Sequence, residues 1–82
     1  MLNENIVGYE GLRGAAAAAI EGKSRTEVAR ERYVSVQAVC AACNEAGHGM
    51  TKLQIRLIQK YSDWRVKDLG DGQFLLTRTS PK

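Results

Sequence analysis

The chain has 82 residues, with twelve Lys and Arg against nine Asp and Glu and a net charge of +3. This length allows one small domain, whose core is too small to enclose a roomy active site. Hydrophobic residues make up 44% of the chain and charged residues 26%, which excludes a wholly disordered protein, and the mild basic excess is compatible with nucleic acid without being diagnostic of it.

The sequence shows no pattern typical of a membrane-spanning helix or of a secreted protein. The longest apolar stretch, Ala15–Ile20, is far shorter than the roughly eighteen residues of a membrane-spanning helix. The first residues lack a basic segment followed by an apolar one, so no signal peptide is expected. Two cysteines, Cys40 and Cys43, cannot build the disulfide framework of a small secreted domain. The sequence therefore predicts a cytoplasmic protein without membrane association.

The first half of the chain predicts a helical core over residues 9–48 of a single domain, 1–82. Five consecutive alanines favour a helix from Tyr9 to Glu21, with Gly22 as its C-terminal cap. Gly11 and Gly14 are expected to weaken its first turns. At helical spacing its apolar face contains Leu12, Ala15, Ala16, Ala19 and Ile20.

Residues 24–46 predict two short helices. Ser24 and Glu27 have the spacing of a capping box at the start of a helix that runs to Arg32. Ser35 is the N-cap candidate of a second helix from Val36 to about Ala46. Its predicted inner stripe contains Val39, Ala42, Cys43 and Ala46.

The second half predicts a fourth helix over residues 51–61 and a β-hairpin over residues 63–79. Thr51 and Gln54 suggest a second capping box, with Met50 and Ile55 as its hydrophobic staple. A strand competes for this segment because Leu53, Ile55 and Leu57 also alternate, but Leu53, Leu57, Ile58 and Tyr61 share a helical face, so a helix is favoured. The hairpin is expected to turn at residues 69–72 and to bury Trp64 and Phe74 in the core or in a dimer contact.

The segment 24–46 matches a helix-turn-helix. Ala29 provides the small residue where the helices cross, and the apolar positions are Val28, Val34, Val39 and Ala42. A glycine usually stands at the position of Tyr33, because that residue often takes positive φ. Tyr33 either adopts this conformation or fills the apolar slot at which Arg32 stands, with a shifted turn. The predicted fold is mainly α, a helix-turn-helix domain of three to four helices with a C-terminal β-hairpin.

Two short stretches carry a family resemblance. Residues Ile20–Val28, ahead of Val34 and Val39, resemble the PapB-type regulators of adhesin operons, and Val34–Val39 is similar to the helix-turn-helix of the KorA/TrfB plasmid repressors. The resemblance covers about residues 15–45 and not the hairpin. It implies a small DNA-binding transcriptional regulator of a bacterium, plasmid or phage, a repressor that acts as a homodimer or higher oligomer and is nucleoid-associated when bound.

A helix in the major groove contacts base edges with its outward side chains, while basic residues around it bind phosphates. The candidates for base contact are Ser35, Val36, Gln37, Cys40, Ala41 and Asn44, and the candidates for phosphate contact are Lys23, Arg25 and Arg30. Gln37 is the foremost candidate, because glutamine can bond adenine in two places. Residues 33–44 contain no charged side chain, as a groove-facing helix requires. The expected partner is double-stranded DNA, read by a homodimer that pairs through the hairpin or Leu53–Tyr61.

Other functions are less well supported. The principal alternative is a non-catalytic protein-binding module, such as an antitoxin-like or anti-repressor partner, that buries the same helix. Zinc is not expected, since Cys40, Cys43 and His48 provide fewer than the four usual ligands. No nucleophile or acid–base pair and no phosphate loop is visible, so we expect no enzyme, cofactor or small-molecule ligand. The basic stripe of Lys52, Arg56 and Lys60 is best interpreted as a solvated face, while Arg65 and Lys67 fit either a phosphate-binding wing or a polar sheet surface.

Overall fold

The computed structural model describes residues 2–79. Its elements, in chain order, are β1 (Leu2–Val7), α1 (Tyr9–Ala19), α2 (Arg25–Arg32), α3 (Val36–Asn44), a 3-10 turn (His48–Met50), α4 (Thr51–Tyr61), β2 (Arg65–Gly70) and β3 (Gln73–Thr79). The mainly helical fold with a C-terminal hairpin is confirmed, and residues 51–61 form a helix rather than a strand. No helix in this range is long and apolar enough to cross a membrane.

The sheet has three antiparallel strands in the order β1-β3-β2. The β2–β3 hairpin turns at Asp71 and Gly72, whose φ values of 56° and 74° are those of a two-residue type I′ turn. This turn is shorter than the predicted one over residues 69–72. Strand β1 pairs with β3 from Leu2 opposite Thr79 to Val7 opposite Phe74. Strand β1 was not among the predicted elements, and its pairing adds the third strand that an isolated hairpin needs for stability.

The core lies between the sheet and the helices. Helices α1 and α4 pack against each other, the sheet lies against both, and α3 packs on α1, α2 and α4. Among the described residues, the buried apolar ones are Leu12, Ala16, Ile20, Val28, Ala29, Val39, Ala42, Cys43, Leu57, Ile58, Phe74 and Leu76. Ala46 is exposed, which corrects its predicted place in the inner stripe, because α3 ends at Asn44 and the chain continues in extended conformation at Glu45.

Helix α1 begins tightly against β1, and this explains one of its glycines. A Cβ atom at Gly11 would stand 2.5 Å from Cβ of Val7, whereas one at Gly14 would meet nothing within 4 Å. Gly11 is therefore required for the approach of helix and strand and is not merely a weak point of the helix. At the other end α1 stops at Ala19, two residues before the predicted Glu21, and its C-cap is Ile20. Gly22 has a positive φ of 85° but lies two residues beyond this cap, so it is not the cap that was predicted.

The start of α4 differs from the prediction. The helix continues directly from the 3-10 turn, and Met50 at its N-cap position makes no side-chain cap. The Thr51 hydroxyl instead donates to the carbonyl of Gly47 at 3.3 Å. The predicted capping box of Thr51 and Gln54 is thus wrong, because the preceding turn already leads the backbone into the helix and both side chains are turned toward the core.

Candidate nucleic-acid interface

The connection between α2 and α3 is a tight turn built on Tyr33. Its backbone is left-handed, with φ 59° and ψ 42°. The amide of Val34 donates to the carbonyl of Ala29 at 3.0 Å and that of Tyr33 to Arg30 at 3.4 Å, which is the Schellman pattern that glycine usually serves. The tyrosine side chain is 95% exposed. Tyr33 therefore takes the conformation expected of glycine, and the alternative with a shifted turn is wrong.

Both helices of this unit begin with the predicted serine caps. The amide of Glu27 donates to Oγ of Ser24 at 3.3 Å, and that of Ala38 donates to Oγ of Ser35 at 3.0 Å. Each cap satisfies an amide that the first helical turn leaves without a partner. The positive ends of α2 and α3 are thereby fixed at Arg25 and Val36.

Helix α3 divides into a buried and an outward face. Val39, Ala42 and Cys43 lie in the core. The predicted base-contacting residues of α3 fall on the opposite arc of about 140° around the helix, given 3.6 residues per turn; they are Val36, Gln37, Cys40, Ala41 and Asn44. Val36, Gln37 and Asn44 are exposed, as is the capping Ser35, whereas Cys40 and Ala41 are partly buried. The structure thus brings all six candidates to one uncharged surface, which we call the α3 face.

The predicted phosphate-binding residues lie around α2. Lys23 and Arg30 are exposed and Arg25 is partly buried. The ammonium group of Lys23 stands 5.4 Å from the ring centroid of Tyr61, a cation–π contact that orients it. The Tyr61 hydroxyl donates in turn to the carboxylate of Glu31, which ties the end of α4 to α2. Of the three basic side chains, Arg30 is exposed, Lys23 is exposed and contacts Tyr61, and Arg25 is partly buried.

Two residues hold the C-terminal end of α3: Arg13, which was not among the predicted site residues, and Gln54, which was predicted only as part of a capping box. The guanidinium of Arg13 on α1 donates through Nη1 to the carbonyl of Cys43 at 2.8 Å. The buried amide of Gln54 on α4 donates through Nε2 to the carbonyls of Ala42 at 2.9 Å and Glu45 at 2.8 Å. These carbonyls are left without partners by the helix itself. A glutamine on the apolar side of a predicted helix was the only signal in the sequence for this role.

The two cysteines of α3 differ in their surroundings. Both are free thiols, Cys40 partly exposed and Cys43 buried. Burial raises the pKa of the Cys43 thiol above its ordinary value of 9.0, more than the charge of nearby Arg25 lowers it. Cys43 therefore packs as a neutral apolar residue, and Cys40 is the one that a reagent or a ligand at the α3 face can reach.

The remaining polar candidates lie away from the α3 face. Lys52, Arg56 and Lys60 are exposed along α4, and Arg65 and Lys67 are exposed on β2. His48 is exposed in the 3-10 turn, as expected of a loop residue. Phe74 is a core residue, and Trp64 packs against the core from the side, with the guanidinium of Arg78 4.8 Å from its ring centroid. The exposure of the basic side chains fits a solvated surface as well as a phosphate contact.

A cavity of about 460 Å³ lies between the tip of the hairpin, the start of α1 and the start of α4. Its lining includes Tyr9, His48, Lys52, Asp68 and Asp71. Charges of both signs and a hydroxyl thus meet at a place that no sequence motif predicted.

No family model, curated protein or solved structure matches the chain. The similarity to the PapB-type and KorA/TrfB regulators accordingly stays a prediction from the residues quoted above.

Proposed function

We propose that this protein is a sequence-specific DNA-binding transcriptional regulator, a repressor, that reads the major groove with α3. The observation that carries the proposal is the α3 face itself. It combines an outward row of small, polar and uncharged side chains with a helix that is capped at Ser35 and held at its other end by Arg13 and Gln54. A helix that must present base-reading side chains in fixed positions needs this support.

Base recognition would follow from the order of side chains along α3. Gln37 is exposed in the first turn, where the helix N-terminus approaches base edges, and its amide can bond adenine N6 and N7 together. Val36 and Ala41 can contact thymine methyl groups. Asn44 lies about two helical turns beyond Gln37 and reaches a second adenine or a phosphate. Partly buried Cys40 lies between Gln37 and Asn44 on this face.

Phosphate contacts would position this helix. Lys23 and Arg30 project from the region just before and within α2, and the capped N-termini of α2 and α3 present free amides to anions. Arg25 contributes its positive charge from the first residue of α2. Repression would arise by occupancy, as a homodimer covers two half-sites and excludes the polymerase.

The test is fluorescence-anisotropy titration against a pool of duplex DNA at two salt concentrations, followed by sequencing of the bound fraction. We expect salt-dependent binding and an enriched palindromic motif. Gln37→Ala should lower the affinity for the preferred motif about tenfold and relax the base preference at one position of that motif. Arg30→Ala should lower the affinity for all DNA sequences alike and reduce the slope of log affinity against log salt by about 1. Lys60→Ala, an exposed charge on α4, is the matched control. Absence of binding at low salt would contradict the proposal.

Cys40 provides an independent reporter of the same surface. Its partly exposed thiol should react with a maleimide, while buried Cys43 should not. Bound operator DNA should slow the labelling of Cys40 at least severalfold, because the groove covers the α3 face. Labelling at an unchanged rate in the complex would place the DNA elsewhere.

A second candidate function is a non-catalytic protein-binding module. It is favoured by two exposed apolar side chains, Val36 of the α3 face at 40% and Tyr33 in the turn before it at 95% exposure, since such patches mark protein contacts. In that case no DNA motif would be enriched, and labelling of Cys40 would be slowed by a protein partner rather than by DNA.

A further inference from the structure

The two edges of the sheet differ in their readiness to accept another strand. Because β3 is central, β1 and β2 are the edges. The register of β2 is irregular between Asp68 and Gly70, and its side chains Arg65 and Lys67 are exposed. An irregularity and basic side chains are the means by which proteins block edge pairing. Strand β1 has neither: it pairs without interruption over six residues and contains no Lys, Arg or Pro.

Strand β1 also carries two exposed aliphatic side chains. Leu2 is 57% exposed and Ile6 63% exposed, and as alternate residues of one strand they point to the same face of the sheet as Glu4. The unpaired backbone amides and carbonyls of a regular edge strand are a template for a further strand, and exposed aliphatic side chains beside them can pack against that strand.

The sequence of β1 indicates which strand this is. Leu2-Asn3-Glu4-Asn5-Ile6 has the same chemical order in both directions, aliphatic, amide, carboxylate, amide, aliphatic. In an antiparallel pair of two identical strands centred on Glu4, Leu2 lies opposite Ile6 of the second copy and Asn3 opposite Asn5 of the second copy. Leu2 and Ile6 can pack together across such a pair, whereas the two carboxylates that oppose each other at its centre destabilise it. A second copy of this chain therefore fits the edge.

We propose that β1 pairs antiparallel with β1 of a second copy, which joins two three-stranded sheets into one of six strands. The two-fold axis of this pair is perpendicular to the sheet. Helices α1 and α4 cover one face of each sheet, so the helices of both copies lie on the same side of the dimer. This arrangement deepens the proposed function, on which its biological role rests, because it joins two copies with their helices on one side, and a regulator that reads two half-sites acts as such a two-fold dimer. It replaces the hairpin and residues 53–61 as the expected interface.

The first test compares the same substitution on the two edges. Ile6→Lys places a charge on the β1 edge, and Leu69→Lys places one on β2, where Leu69 is 41% exposed. Analytical ultracentrifugation over a range of concentrations should find the unchanged protein and Leu69→Lys as dimers and Ile6→Lys as a monomer. Circular dichroism should show the same helix content in all three. A monomeric unchanged protein, or dissociation by Leu69→Lys instead of Ile6→Lys, would overturn the proposal.

The second test strengthens the pair. Glu4→Gln removes the two opposed carboxylates and should lower the dimer dissociation constant about threefold. Glu21→Gln makes the same change in net charge on an exposed residue outside the sheet and should leave the constant unchanged. An equal effect of both variants, or a higher constant for Glu4→Gln, would contradict pairing centred on Glu4.

Dimerisation and DNA binding are separated by measuring both for each variant. If the unchanged protein dimerises through β1 and binds no DNA, the proposed function fails while the interface stands. If Ile6→Lys and the unchanged protein are both monomers that bind DNA, the interface fails while the proposed function stands.

Discussion

Tyr33 holds a left-handed backbone conformation with a side chain that is almost entirely in solvent. For a residue with a Cβ atom this conformation costs about 1 kcal/mol or more. Packing does not offset that cost, because the ring contacts little of the core. The turn geometry that α2 and α3 require therefore stores strain at this one residue.

Replacing Tyr33 should release this strain. Tyr33→Gly is expected to raise the free energy of unfolding by about 1 kcal/mol, since glycine reaches positive φ without a steric penalty. Tyr33→Ala removes the same ring but keeps a Cβ atom, and it should leave the stability near that of the unchanged protein. Urea denaturation of the three proteins measures both differences. A glycine variant no more stable than the alanine variant would show that the turn is not strained.

Gln54 is a buried polar side chain whose amide replaces the missing partners of two α3 carbonyls. Gln54→Leu keeps the apolar contacts and removes both hydrogen bonds, so the free energy of unfolding should fall by about 2 kcal/mol. Gln37→Leu makes the same change on the exposed α3 face and should alter it by less than about 0.5 kcal/mol. Thermal and urea denaturation give the comparison, and equal effects of the two substitutions would mean that Gln54 does not anchor α3.

At the scale of elements, α1 shows how packing can reverse a preference of the isolated helix. Helix propensity favours alanine over glycine at both Gly11 and Gly14. Beside Gly11, however, Cβ of Val7 leaves no room for a further carbon atom, whereas the space at Gly14 is open. The same substitution should therefore have opposite effects one helical turn apart.

We expect Gly14→Ala to raise the free energy of unfolding by about 0.5–1 kcal/mol, the normal gain in a helix interior. Gly11→Ala should lower it by about 1–3 kcal/mol, because α1 and β1 must move apart. The denaturation midpoints of the two variants, compared with that of the unchanged protein, show whether each substitution stabilises or destabilises the fold. A stabilising Gly11→Ala would mean that the contact of α1 with β1 is loose.

The elements that local chemistry specifies could be predicted from the sequence, and those that depend on distant partners could not. Serines at the starts of α2 and α3 and the alanines of α1 act within one helical turn, and these helices form as expected. Strand β1 exists only because β3 offers an edge some seventy residues away in the chain, and nothing in its polar sequence requires it. The six α3-face residues could likewise be predicted from helical spacing. The anchoring by Arg13 and Gln54 could not, since it depends on how α1 and α4 meet the end of α3.

At the scale of the whole molecule, two buried or partly buried acids couple folding to alkaline pH. Burial raises the pKa of the Cys43 thiol, and burial together with the hydrogen bond to Glu31 raises the pKa of the Tyr61 hydroxyl. Both groups stay protonated in the folded protein at pH values where they ionise in the unfolded chain. As the pH rises, these groups therefore ionise first in the unfolded chain, and this lowers the free energy of unfolding.

The free energy of unfolding should accordingly be highest below pH 9.0, the ordinary pKa of a thiol. It should fall as the pH rises from there through the raised pKa values that the two groups have in the folded protein. Cys43→Ala and Tyr61→Phe should each make this fall less steep, although both lower the stability at neutral pH. Cys40→Ala, on the partly exposed side of α3, serves as the control. Urea denaturation across the alkaline range gives the slopes, and equal slopes for Cys43→Ala and Cys40→Ala would contradict the coupling.

The way α3 is fastened has a consequence for how this protein can change over evolution. Its far end is held through the backbone carbonyls of Ala42, Cys43 and Glu45, groups that every amino acid possesses. The side chains on the opposite arc take no part in that attachment. Mutations at Gln37, Ala41 or Asn44 can therefore accumulate with little loss of stability, so that descendants of one gene could acquire new specificities on an unchanged scaffold.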